Sequence, residues 1–135
     1  MSSKLQVLVV DDEPDMRAFL RDFLNGIGVD VLLADDGQSA LDLIQTSARI
    51  DVIIADYQMP RLNGKELFRV LSVKHPRLAE RFIAMSSDIH ALEDFEKQCV
   101  RLPKPFRVGE LSKALMSVLP EADRKTHFSG IFPAQ

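Results

Sequence analysis

Residues 52–60 read Val52-Ile53-Ile54-Ala55-Asp56-Tyr57-Gln58-Met59-Pro60, an apolar run that ends in a single carboxylate and then turns. Small and β-branched apolar residues without polar alternation predict a strand buried on both faces, as found inside a parallel sheet. In open α/β sheets the ligand crevice lies outside the carboxyl ends of the strands. Asp56 stands at such an end, and Pro60 keeps a helix from starting at once. An aspartate here also suits a simple turn, so its significance depends on what the other strand ends deliver.

Upstream, Leu5 to Val10 is apolar except for Gln6 and terminates in Asp11 and Asp12. Pro14 suits the first turn of a helix, and Met16, Phe19, Leu20, Phe23 and Leu24 recur at helical spacing until Asn25-Gly26. Val29 to Ala34 predicts the second strand, and after Asp36-Gly37 a helix carries Ala40, Leu41, Ile44 and Ala48 on one face before the strand Asp51 to Ala55. Downstream, Asn63-Gly64 leads into a helix with Leu67, Phe68 and Leu71 buried and His75-Pro76 as its stop. Arg81 to Met85 is the fourth strand and ends in Ser86-Ser87-Asp88; Ile89, Leu92, Phe95 and Cys99 then share one helical face. Val100 to Leu102 is the candidate fifth strand before Pro103-Lys104-Pro105, and a last helix from Val108 to Leu119 shows Val108, Leu111, Leu115 and Val118 on one side.

Strand and helix thus alternate through five βα units. Right-handed crossovers make such a chain a doubly wound, five-stranded parallel sheet of flavodoxin-like order 2-1-3-4-5, with helices on both faces. Residues 4–119 form this domain. Residues 120–135 show no period and are expected to be a mostly mobile tail, whose Phe128, Ile131 and Phe132 could dock.

The bulk numbers agree with one globular domain: 135 residues, 46% hydrophobic and 27% charged. A net charge of -3 without a basic cluster argues against direct nucleic-acid binding. The lone Cys99 cannot form an internal disulfide, the apolar stretch after Lys4 runs into Asp11-Asp12-Glu13 unlike a signal peptide, and no apolar run is long enough for a membrane span. A cytoplasmic protein with no membrane contact is expected.

The sheet order brings Asp11 and Asp12, Asp56, Ser86 and Lys104 to one edge. Carboxylates 4 Å apart repel by about 4 kcal/mol per pair at an effective dielectric near 20. A divalent cation offsets this, and Mg²⁺ (or Mn²⁺) suits an open site with few carboxylates because it keeps several waters and accepts phosphate oxygens. With a metal and Lys104 neutralising charge, an aspartate can attack phosphorus and form an aspartyl phosphate; Ser86 could hydrogen-bond an equatorial oxygen. No general base is required, since a carboxylate is already deprotonated at neutral pH. His75, His90 and His127 read as ordinary surface residues. Taken singly, Lys104 also suits a solvated loop and Ser86 a helix N-cap.

These segments resemble the receiver domain of two-component response regulators, from about Lys4 to Leu119. V-V-D-D-E-P at 9–14 is similar to the family's acidic pair, D-Y-Q-M-P-R-L-N-G at 56–64 to its phosphorylation segment, and Ser86 with K-P-F at 104–106 completes the set. Spacings of 44 residues from Asp12 to Asp56 and 30 from Asp56 to Ser86 match a chemotaxis-type receiver. The resemblance implies that Asp56 takes a phosphoryl group from a histidine kinase or histidine phosphotransfer protein. It places Mg²⁺ on Asp11, Asp12, Asp56 and the backbone carbonyl of Gln58, and lets Ser86 and Lys104 contact the phosphoryl group. It also implies no enzymatic turnover beyond the domain's own phosphorylation and dephosphorylation.

In the family, the counterpart of Ser86 moves toward the phosphate and an aromatic residue three before the lysine swings inward, altering the surface of the fourth helix, fifth strand and fifth helix where a downstream protein binds. Here that switch position is Arg101, whose inward swing would carry a large desolvation penalty. Ser86 to Lys104 spans 18 residues. The usual receiver has about four more, roughly one helical turn, so a shortened or displaced helix is expected after the fourth strand. L-P-K-P-F at 102–106 is similar to receivers attached to sensor kinases, so a free-standing relay and a domain of a hybrid kinase both remain open. Gln58 and Asp88, flanking the site, are expected to tune hydrolysis. Two alternatives compete: a pseudo-receiver that works by surface contacts without phosphorylation, and a Mg²⁺-dependent phosphatase of the haloacid dehalogenase type. The latter ends its first strand in D-x-D, where this chain has Asp11-Asp12-Glu13.

Overall fold

The computed structural model describes residues 5–46, 49–93 and 99–120. In chain order it contains β1 (Gln6–Val10), α1 (Pro14–Gly26), β2 (Asp30–Ala34), α2 (Gly37–Thr46), β3 (Val52–Asp56), α3 (Gly64–Lys74), a single turn α4 (Pro76–Ala79), β4 (Phe82–Ser86), α5 (Ile89–Glu93), β5 (Val100–Pro103) and α6 (Val108–Val118). The sheet is parallel with order β2-β1-β3-β4-β5, as expected from the alternation of elements.

Every residue of β3 and of β4 is buried, which explains why neither strand alternates. Period-two geometry divides their side chains between two cores. Val7, Val9, Ile54, Ile83, Met85 and Leu102 face α1 and α6 through Leu20, Leu24, Leu111 and Leu115. Leu8, Val10, Ile53, Ala55, Phe82 and Ala84 face α2 and α3 through Ala40, Ile44, Leu67 and Leu71, where Phe68 meets Phe82 edge-on with ring centroids 5.3 Å apart. The register pairs Val10 with Ala55 and Asp56 with Met85, so the strands end together and their following loops share one edge.

Several local expectations differ. Pro76 ends α3 but also opens α4, whose Leu78 and Ala79 amides bond to the His75 carbonyl, because proline is favoured in a first helical turn. His75 is consequently half-buried, while His90 is exposed. Cys99 is not on a helix: it precedes β5, is buried, and points Sγ at the Phe82 carbonyl 3.3 Å away. After β4 the described helix is α5, Ile89–Glu93, and residues 94–98 lie outside the described residues. Val108 and Phe19 are 45% and 42% exposed, respectively. Val108 begins α6 and stays out of the core, and the Phe19 ring lies 6.3 Å from that of Phe106 instead of in the core. Ala48, Phe95, His127 and the tail residues Phe128, Ile131 and Phe132 lie outside the described residues. Among the described residues, no helix is long and apolar enough to cross a membrane.

Candidate functional site

The C-terminal edge of the sheet carries the candidate residues. Asp11 follows β1 directly, its amide donating to the Ala34 carbonyl at 3.1 Å and its carbonyl accepting from Arg17 Nη1 at 2.7 Å. These bonds fix the backbone so that the Asp11 side chain is fully buried while that of Asp12 is exposed. Asp11 Oδ1 accepts from the Glu13 amide at 2.9 Å. Asp56 closes β3 and is also buried; its Oδ1 accepts from the Gln58 amide at 3.2 Å, and the Tyr57 amide donates to Met85 of β4 at 2.7 Å.

Lys104 joins the two carboxylates. Its Nζ lies 2.9 Å from Asp11 Oδ2 and 3.0 Å from Asp56 Oδ2, and its side chain is only 11% exposed. It is therefore no solvated loop lysine. Its amide donates to the Ser86 carbonyl at 2.8 Å, extending the β4–β5 ladder past Pro103, and its peptide bond to Pro105 is cis. Glu13, which the sequence reading did not single out, approaches the same ammonium at 3.5 Å; being exposed, it contributes little. Its place in the Asp11-Asp12-Glu13 run was the available signal.

Ser86 is buried, and its Oγ accepts from the Asp88 amide at 2.9 Å, which leaves its hydroxyl hydrogen free to be donated. The cap of α5 is not Ser86 but Asp88, whose Oδ1 accepts from the amides of His90 and Ala91. Arg101 stays outside the cluster. It is exposed, and its Nη1 donates to the Leu92 carbonyl of α5 at 3.3 Å.

Oxygens of Asp11, Asp12 and Asp56 lie within 4.8 Å of one another. Three carboxylates against one ammonium leave two negative charges uncompensated, and the donors are hard oxygens, so the residues fit a divalent cation such as Mg²⁺. Burial raises the Asp56 pKa above the ordinary carboxylate value, the Lys104 hydrogen bond and charge oppose the rise, and Asp11 adds to it. Burial alone would lower the Lys104 pKa, but its bonds to Asp11 and Asp56 hold it above the usual lysine value. The ammonium is thus fully charged at neutral pH.

The N-terminus of α3 backs onto this edge. Asn63 Oδ1 accepts from the Glu66 amide at 2.9 Å and Glu66 Oε1 from the Asn63 amide at 3.0 Å, a reciprocal cap that fixes where the helix starts. A Cβ on Gly64 would sit 2.5 Å from the Asp56 carbonyl oxygen and 2.9 Å from Tyr57 Cα, so only glycine permits this approach.

Comparison with known proteins agrees with this geometry. The sequence profile of the response regulator receiver domain family matches residues 7–116. The chain is 31% identical over 125 residues to the transcriptional regulatory protein CpxR of Escherichia coli (strain K12), covering 92% of this chain and 51% of CpxR. It thus spans about half the length of the curated relatives it matches. Among solved structures, the response regulator TrrA of Thermotoga maritima in complex with Mg²⁺-BeF superposes with a TM-score of 0.77 at 27% identity, over 85% of this chain and 99% of that one. The chemotaxis protein CheY4 of Vibrio cholerae gives 0.73 at 28% identity, over 87% of this chain and 100% of its own.

Proposed function

This chain belongs to the response regulator receiver domain family, and on that premise we propose that Asp56 accepts a phosphoryl group from a histidine kinase or histidine phosphotransfer protein in two-component signalling. The observation that carries the proposal is Lys104 Nζ held between Asp11 Oδ2 and Asp56 Oδ2. A carboxylate, an acidic neighbour and a buried ammonium from separate strand ends are what transfer to an aspartate requires.

An Asp56 oxygen attacks phosphorus as the bond to the donor imidazole nitrogen breaks, and the electron pair leaves with the imidazole. Asp56 attacks as its carboxylate and needs no base. Lys104, already 3.0 Å from Asp56, offers positive charge to the equatorial oxygens in flight, and the Ser86 hydroxyl offers a hydrogen bond. Mg²⁺ (or Mn²⁺) held by Asp11, Asp12, Asp56 and the Gln58 carbonyl would supply the remaining positive charge toward the phosphoryl oxygens. Hydrolysis of the aspartyl phosphate, tuned by Gln58 and Asp88, returns the domain to its starting state, so it turns over no separate substrate.

Output passes through the surface of α5, β5 and α6 to a downstream protein. Burying the Arg101 guanidinium would be costly. Its bond to the Leu92 carbonyl instead gives β5 and α5 a polar link that can exchange partners as Ser86 moves.

Intact mass after incubation with acetyl phosphate and Mg²⁺, for wild type and Asp56→Asn with a chelator control, tests the proposal. One added phosphoryl group that requires both Mg²⁺ and Asp56 is expected. No adduct, together with failure to bind beryllofluoride, would replace it with a phosphorylation-independent interaction module. Turnover of small phosphate esters through Asp11 would point to the phosphatase reading.

A further inference from the structure

Between Asp56 and α3 runs the loop 57–63, which carries Gln58. It is tied at its start by the Tyr57 amide to Met85, and at its end by the Gly64 amide to the Tyr57 carbonyl at 3.0 Å. A third tie comes from the β2–α2 corner. There the Gly37 amide donates to the Leu62 carbonyl at 3.1 Å, and Arg61 reaches Asp36 with two donors, Nε at 2.7 Å and Nη2, both onto Oδ2.

The Arg61 side chain is 63% exposed, yet two features set this contact apart from an ordinary surface ion pair. Arg61 has φ of 66°, left-handed backbone that a non-glycine residue adopts only where its surroundings impose it. Asp36 is 4% exposed, and its other oxygen caps α2 by accepting from the Ser39 amide at 2.8 Å. The Ser39 amide and the Arg61 guanidinium both hold the Asp36 carboxyl below the ordinary value, so the pair stays charged. A rigid helix start thus grips the residue three beyond Gln58.

We propose that Arg61, acting through Asp36, is a positioning residue that fixes loop 57–63 beside Asp56, so that the pair sets how tightly the site binds Mg²⁺ and how fast Asp56 is phosphorylated. The inference rests on the receiver reading above but concerns residues outside the carboxylate and lysine cluster. Among the described residues, no hydrogen bond or ion pair joins Arg61 to Asp56 or Lys104. Arg61 acts by limiting where the peptide after Asp56 can lie, as the hydrogen-bond partners behind metal ligands do.

Tyr57 is the chain's single tyrosine, and there is no tryptophan, so its fluorescence reports Mg²⁺ binding next to Asp56 without any phosphorylation. Three variants separate the causes. Arg61→Gly removes the guanidinium while accepting the left-handed backbone. Arg61→Lys keeps the charge but loses the fork. Asp36→Asn keeps a good cap for α2 and loses the charge. We expect the Mg²⁺ dissociation constant to rise about tenfold in Arg61→Gly and in Asp36→Asn, less in Arg61→Lys, with the double variant no worse than either single. Phosphorylation by acetyl phosphate at limiting Mg²⁺ slows in parallel. Lower melting temperatures with unchanged Mg²⁺ affinity would show a merely structural pair and overturn the inference while the receiver reading stands. Wild type that neither binds Mg²⁺ nor forms an adduct would overturn both.

Discussion

Replacing Lys104 with Met keeps the aliphatic stem and deletes the ammonium that contacts Asp11 at 2.9 Å and Asp56 at 3.0 Å. Removing one partner of a buried pair costs about 3–5 kcal/mol, because the other charge is left uncompensated. Asp56, whose pKa burial already raises, has one escape, which is to bind a proton. At pH 7 that costs about 4 kcal/mol for an acid of ordinary pKa, and at pH 5 about 1.5 kcal/mol. The smaller of the two costs governs, so the loss is about 4 kcal/mol at pH 7 and about 1.5 kcal/mol at pH 5. An unfolding entropy of about 2 cal/mol/K per residue over residues 5–120 converts 1 kcal/mol to about 4 °C. Without metal, Lys104→Met should therefore melt about 16 °C below wild type at pH 7 and about 6 °C below at pH 5. The sign follows from linkage: an acid whose folded pKa is raised above its unfolded value costs the fold stability as pH rises through that folded pKa. Mg²⁺ at about a hundred times its dissociation constant should return about 2.7 kcal/mol at pH 7, since its site is no longer contested by the ammonium. Scanning calorimetry at both pH values, with and without Mg²⁺, measures each quantity. An equal deficit at pH 5 and pH 7, unmoved by Mg²⁺, would show that Lys104 acts through the packing of its stem and refute the electrostatic account.

Asp56→Asn should melt above wild type in the absence of metal at neutral pH, because burial raises the Asp56 pKa and its ionisation therefore costs stability; added Mg²⁺ should close the gap by stabilising wild type alone. Gly64→Ala should lose about 1–3 kcal/mol in urea unfolding and slow phosphorylation, since its Cβ displaces the Asp56 carbonyl. Asp36 has a lowered pKa, so its contribution is present above the unfolded value and lost as pH falls through the folded one. Melting temperature against pH should accordingly fall less steeply below about pH 4 in Asp36→Asn than in wild type. Arg101→Ala should change global stability by no more than about 0.5 kcal/mol, while hydrogen exchange in α5 accelerates as the bond to the Leu92 carbonyl is lost.

Local pattern was enough to read the five strands, their order and the principal helices. The unalternating runs Leu5–Val10 and Val52–Ala55 announce strands covered on both faces, and the right-handed crossover rule then leaves few ways to connect them. Convergence of Asp11, Asp12, Asp56, Ser86 and Lys104 on one edge follows from that order, since every parallel strand delivers its C-terminal residue to the same side. Periodicity was a poorer guide at element ends. Cys99 and Val108 fit a helical stripe by spacing, yet the first precedes a strand and the second is exposed, because spacing does not say where a helix stops or which part of its stripe the sheet covers.

Other features were decided by tertiary structure alone. Asp11 and Asp12 are equivalent in composition, but the bonds from Asp11 to Ala34 and Arg17 bury one carboxylate and expose the other. The grip of Arg61 on Asp36 spans 25 residues of sequence, and the contact of Lys104 with Asp11 spans 93. Burial pattern and element type are properties of neighbouring residues and so are written locally in the chain. A pairing between two loops depends on where the ends of separate strands and helices meet in space, and that is set only once the sheet has assembled.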